Sequence, residues 1–154
     1  MTPTMLPIFD EQADAMRKLS DVTMDQQPLV MSGTTTVMEA CSRMRDRHAG
    51  SVLVTGDTGQ LVGIFTGRDA VCRVLAQRRD AGATCLHEVM TPDPMTMSPD
   101  KTAIDALRLM WDGGFRHVPL VKNGRILGCV SRGDFKGLEQ SRHDDERDLW
   151  EHMR

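Results

Sequence analysis

Two stretches of the chain, residues 63–71 (GIFTGRDAV) and 128–136 (GCVSRGDFK), follow one pattern: a glycine, two apolar residues, a hydroxyl, and an aspartate three residues after the hydroxyl. The first copy opens at Gly63 and the second at Gly128. Such a duplication constrains the fold strongly, because whatever unit one copy builds the other must build again, and neighbouring units bury their apolar faces on each other.

The duplication extends well beyond this phrase. Residues 19–32 (LSDVTMDQQPLVMS) match residues 86–98 (LHEVMTPDPMTMS) in the leucine, an acid followed by valine, the proline and the closing Met-Ser pair. Val37, Ala40, Cys41 and Met44 then recur at i, i+3, i+4 and i+7, one face of a helix, and Ala103, Ala106, Leu107 and Met110 repeat that face in the second half. Thr36 with Glu39, and Thr102 with Asp105, read as N-caps with an acid in the first turn. Each helix is followed by an apolar strand (SVLVT, HVPLV), a polar turn (GDTGQ, KNGR) and a second strand (LVGIF, ILGCV). Asn123-Gly124 is a hairpin signal, and the first turn is one residue longer, so the offset between the halves shortens by one across it. Each half therefore reads strand, helix, strand, strand, helix, a mixed α/β (α+β) class, with the hydroxyl-x-x-aspartate phrase where the last strand enters the last helix.

Composition removes several function classes. With 154 residues, 40% hydrophobic and 27% charged, the chain can form one compact domain or two small halves sharing a core. No apolar run approaches the roughly 20 residues that span a bilayer. The opening MTPTMLPIFDEQ lacks the basic-then-apolar plan of a secretory signal, so a cytoplasmic setting is expected. A net charge of −3, 4% aromatic residues and no tyrosine argue against nucleic acid as the main partner. Cysteines 41, 72, 85 and 129 form no C-x-x-C pair and have no histidine at a zinc-ligand spacing; Cys41 aligns with Leu107 and Cys129 with Ile64, which reads both as small apolar core residues. The twelve methionines read mostly as core filler. No nucleophile–base pair with a supporting third group stands out, and the five histidines are scattered, so no enzyme activity and no required cofactor are expected.

The duplicated order, each copy closing on Gly, two apolar residues, Thr or Ser, two residues and Asp, resembles a tandem pair of cystathionine-β-synthase (CBS) domains, a Bateman module, over roughly residues 19–140. The resemblance implies two β-α-β-β-α repeats, residues 19–80 and 81–140, packed about a pseudo-twofold axis. It also implies clefts between them for adenosine-containing ligands such as AMP, ATP, NAD or S-adenosylmethionine, in a module that senses ligand, dimerises and signals to a partner. A rival reading, from another class, is a structural or oligomerisation module whose clefts bind nothing.

The residues of the phrase suit the first reading. A hydroxyl where a strand enters a helix sits among unpaired backbone N–H groups at the positive helix end, so Thr66 and Ser131 are candidates to hold phosphate oxygens. Asp69 and Asp134, one turn in, can accept from both hydroxyls of a ribose. The same spacing is that of a capping box, and one hydroxyl can serve both purposes. In the family one cleft usually combines the Asp of one half with the lead-in segment of the other. The resemblance thus sets Thr66 and Asp69 opposite Thr91, Thr96, Phe115, Arg116 and His117, and Ser131 and Asp134 opposite Val30 and Ser51. Arg68 and Arg132 lie within the phrases. Because Arg116 and His117 correspond to Gly50 and Ser51, the second cleft should have fewer cations and the first should prefer phosphorylated ligands. Protonation of His117 near the reference value of about 6.5 would strengthen phosphate binding. Outside the repeats, residues 1–18 form an extension, with a short amphipathic helix expected over residues 9–19, and 141–154 a charged helical tail whose Leu149, Trp150 and Met153 need cover, for which a second subunit is one source.

Overall fold

The computed structural model describes residues 17–135. Residues 9–16 of the helix expected over 9–19, the tail with Leu149, Trp150 and Met153, and the closing helix of the second half beyond Phe135 lie outside the described residues; Lys18 makes an isolated bridge to Thr102, and a helix starts only at Leu19. The first half runs α1 (Leu19–Val22), β1 (Val30–Ser32), α2 (Val37–Arg47), β2 (Ser51–Thr55), β3 (Leu61–Thr66) and α3 (Gly67–Asp69), which continues as a π-helical turn over Ala70–Leu75. The second runs α4 (Leu86–Val89), β4 (Thr91–Pro92), α5 (Ala103–Gly113), β5 (His117–Lys122), β6 (Arg125–Ser131) and a 3-10 turn over Arg132–Asp134.

Local chemistry sets these boundaries. Thr36 Oγ1 accepts from Glu39 N at 3.2 Å, and Thr102 and Asp105 close a reciprocal capping box that satisfies donors the helix leaves open. α2 and α5 stop where His48 and Gly114 turn left-handed, at φ 51° and 70°. The faces read from residue spacing pack inward: Ala103, Ala106, Leu107 and Met110 are buried in one core, and Val37 and Ala40 in the other with Cys41 and Met44 against it. Asn123 and Gly124 both have positive φ, 53° and 75°, as a two-residue type I′ hairpin turn requires.

β1 runs parallel to β2, β3 pairs antiparallel with β2, and β4 adds antiparallel to β3, giving a four-stranded sheet in the order β1-β2-β3-β4. β5 and β6 form a second, two-stranded sheet. The strand expected before α5 contracts to a single parallel bridge from Met97 to Leu120. Pro94 and Pro99 flank it, and proline has no N–H to give a ladder.

The two halves exchange their leading helices. Leu19 N donates to Lys101 O at 2.8 Å and Ala103 N to Arg17 O at 2.8 Å; with the halves reversed, Leu86 N donates to Thr35 O at 2.9 Å and Val37 N to Thr84 O at 2.8 Å. The same contact made twice in opposite senses is what a pseudo-twofold axis produces. As a result Leu19 of the first half is buried with Ala103, Leu107, Val118 and Val130 of the second, and Leu86 and Val89 are buried with Val37, Val52, Val54 and Phe65 of the first.

This exchange explains the glycine that opens each phrase. A methyl group added to Gly63 on β3 would run into the Met90 thioether, just past α4, and stand 3.0 Å from the Thr91 carbonyl. At Gly128 on β6 it would meet Thr23, just past α1, at 3.3 Å. Overpacking of this kind costs about 1–3 kcal/mol, so Gly63→Ala is expected to lower unfolding free energy in chemical denaturation by that amount, and Gly128→Ala by less. A Gly63→Ala protein as stable as the parent would show that Met90 and Thr91 do not need this clearance.

Candidate ligand-binding clefts

At the end of β3, Thr66 N donates to Asp69 Oδ2 at 2.9 Å, Thr66 Oγ1 donates to the same oxygen at 3.2 Å, and Asp69 N points back to Thr66 Oγ1 at 3.4 Å. The capping box is therefore formed, yet it occupies only one carboxylate oxygen. The other, Oδ1, has Thr91 Oγ1 at 3.4 Å and Arg73 Nε at 3.5 Å, both near the outer limit for a hydrogen bond. Asp69 is 7% exposed, and a carboxylate so buried needs such partners to offset its lost hydration. Arg73 is itself held by donating to Met90 O at 2.8 Å.

Asp69 lines a cavity of about 830 Å³, within the range of small-molecule sites. Thr66, Arg68 and Asp69 line it from the first half, and Thr91, Phe115, Arg116 and His117 from the second. Thr96 does not line it: the residue is exposed beyond the β4 contact. Arg73, Asp93, Pro94 and Met95 line it as well. Arg73 follows Asp69 at i+4, a spacing from which the pair could have been read. Asp93 sits in the lead-in segment two residues past Thr91, but nothing in its neighbours marks it.

A second cavity of about 380 Å³ is lined by Ser51, Ser131 and Asp134, together with Gln26, Gln27, Arg47, His48, His117 and Cys129. Val30, on β1 and 45% exposed, is not part of its lining, and neither is Arg132. The expected shortage of cations is only partial. Gly50 and Ser51 carry no charge, but the last turn and cap of α2 bring Arg47 and His48 to the cavity, and His117 lines both.

His117 stands between the clefts because Gly50 leaves room for it; a methyl group there would lie 2.9 Å from His117 Nε2. Burial pushes the His117 pKa below its ordinary value, against the pull of Asp134 and with the push of Arg116. The ring is therefore neutral at neutral pH, and its cationic form appears at lower pH than the reference value suggests. Ser51 Oγ lies 3.6 Å from Cys129 Sγ, and burial pushes that thiol up to about 11, which keeps it protonated and unreactive. All four cysteines are free. Among the described residues no cluster of His, Cys, Asp and Glu is placed to hold a metal ion, and no helix is long and apolar enough to cross a membrane.

Comparison with known proteins agrees with this architecture. The sequence model of the CBS domain matches the chain twice, at residues 19–75 and 86–139. The CBS domain-containing protein CBSCBSPB1 of Arabidopsis thaliana is 38% identical over 102 residues, which cover 66% of this chain and 19% of that protein. The chain thus spans about a fifth of the length of that relative. Among solved structures, the CBS-domain containing protein of Agrobacterium tumefaciens superposes with a TM-score of 0.72 at 27% identity, covering 82% of this chain and 94% of the other. A CBS domain protein from Pyrobaculum aerophilum, complexed with AMP, has the same fold at a TM-score of 0.74 and 22% identity, covering 83% and 98%.

Proposed function

We propose that this chain, which belongs to the CBS domain family, binds an adenosine-containing ligand in its larger cavity and reports the level of that ligand to a partner, doing no chemistry on it. The observation that carries this reading is the nearly buried Asp69 carboxylate, with one oxygen loosely held, in a cavity that also holds Arg68, Arg73 and Arg116. An acceptor-only carboxylate suits the paired hydroxyls of a ribose. Guanidinium groups suit a phosphate, which they bind through charge-assisted hydrogen bonds. Phe115 and Met95 supply apolar lining for a base. The AMP held by the Pyrobaculum relative is consistent with that class of ligand. AMP, ATP, NAD and S-adenosylmethionine all belong to it. A homodimer, an effector protein as recipient of the signal, and a cytoplasmic setting belong to the same proposal, with neither membrane nor nucleic acid as a partner.

Thermal melting across a panel of these four ligands tests it. A ligand that binds only the folded state at a hundredfold excess over its Kd adds about 2.7 kcal/mol of stability, which appears as a rise of several degrees in Tm. At least one member of the panel is expected to give that rise. No shift with any of them would favour a structural module whose clefts stay without ligand.

A further inference from the structure

The two aspartates of the duplicated phrase are in different states. Ser131 N and Oγ donate to Asp134 Oδ2 at 2.7 and 3.2 Å, as Thr66 does to Asp69. The remaining oxygen of Asp134, however, accepts a 2.9 Å hydrogen bond from Gln26 Nε2, where the matching oxygen of Asp69 has, among the described residues, Thr91 Oγ1 at 3.4 Å and Arg73 Nε at 3.5 Å. The side chain that fills this position comes from the lead-in segment of the first half, and that segment is pinned: Gln26 N donates to Thr23 O at 3.0 Å and Arg47 Nη2 to Gln27 O at 2.6 Å.

Sequence alignment of the halves explains why only one cleft is so arranged. The first lead-in segment, from Leu19 to Ser32, carries one residue more than its match from Leu86 to Ser98. Counted forward from the two leucines, Gln26 corresponds to Asp93, which lines the larger cavity. An amide can donate to a carboxylate, whereas an ionised aspartate has no proton to donate. The shorter segment also pairs with β3 as β4, and its counterpart at Met24 and Asp25 forms no strand.

We infer that Gln26 is an internal latch that occupies the ligand-accepting oxygen of Asp134, so that the module binds one adenylate, in the larger cavity, and keeps the smaller cleft closed until the latch is released. This rests on the ligand reading above. A ligand entering the smaller cleft must first break the Gln26 to Asp134 bond, so its affinity there is expected to be at least tenfold below that of an unlatched cleft.

Calorimetry with AMP decides the matter, using the full chain, Gln26→Ala, and Gln26→Ala combined with Asp134→Ala. The wild-type protein is expected to bind one AMP per chain and Gln26→Ala two, with the second lost again in the double variant. Circular dichroism melting confirms that each variant is folded, and Gln26→Ser replaces Gln26→Ala should the latter melt early. Two AMP per chain in the wild type, or one in both wild type and Gln26→Ala, overturns the latch while leaving the larger cavity as the site. No AMP in the wild type but one in Gln26→Ala upholds the latch and overturns the reading of the larger cavity. No AMP in any variant overturns both.

Discussion

Leu86→Ala is expected to cost about 2–5 kcal/mol of stability, and to do so by loosening the half of the molecule to which Leu86 does not belong in sequence. Leu86 is fully buried, and its neighbours in the core are Val37, Val52, Val54 and Phe65 of the first half. Removing its side chain leaves a cavity that the short α4 cannot close, because Leu86 N and His87 N are tied to Thr35 O and Gly33 O. Hydrogen exchange followed residue by residue locates the damage. Amides of β2 and β3 should lose protection before those of β5 and β6. Leu19→Ala, fully buried in the other core, should give the reverse order. If each substitution instead loosened its own half, the exchange of leading helices would be wrong.

That exchange is the part of the fold the sequence hides. The faces of α2 and α5 were legible because eleven-residue helices display their period, and the second hairpin because Asn-Gly demands one turn geometry. α1 and α4 are four residues each, too short for a period to show which core they serve. Their destination is fixed by backbone hydrogen bonds to residues 33–35 and 99–101, which no side-chain pattern encodes. The opening glycine of the phrase was visible twice, but its cause lies in the side chains of Met90 and Thr23, brought over by the exchange.

The clefts were legible to a similar depth. The resemblance to a CBS pair, not the match between the halves, set Thr66, Asp69, Thr91, Phe115, Arg116 and His117 together as candidates, and these line one cavity. Thr96 and Val30 lie outside the linings of the two cavities: alternate residues of an extended segment face opposite ways, and the lead-in segments hold too little regular structure for the sequence to give the phase. Arg47 and His48 were missed because the cleft gathers them from the end of α2, a different element from the one that ends in the phrase. The latch was missed because a glutamine in a polar loop has no signature until its partner is in place.

Asp69→Ala should weaken adenylate binding tenfold to a hundredfold, since a hydrogen bond to a charged acceptor contributes roughly 1.5–3 kcal/mol. The substitution also removes a cap, because Thr66 N loses the oxygen that accepts from it, so a stability loss of about 1 kcal/mol accompanies it. The two effects separate cleanly. Binding measured by calorimetry well below the melting transition compares folded proteins, and there the cap contributes nothing. Asp69→Asn sharpens the comparison: it keeps an oxygen to accept from Thr66 N but has no net charge and turns one ribose-facing acceptor into a donor. Its stability should lie near the parent's and its affinity near that of Asp69→Ala. Should Asp69→Asn bind AMP as tightly as the parent, the carboxylate of the first phrase serves only the turn that it caps, and the arginines around the cavity would have to hold the ligand without it.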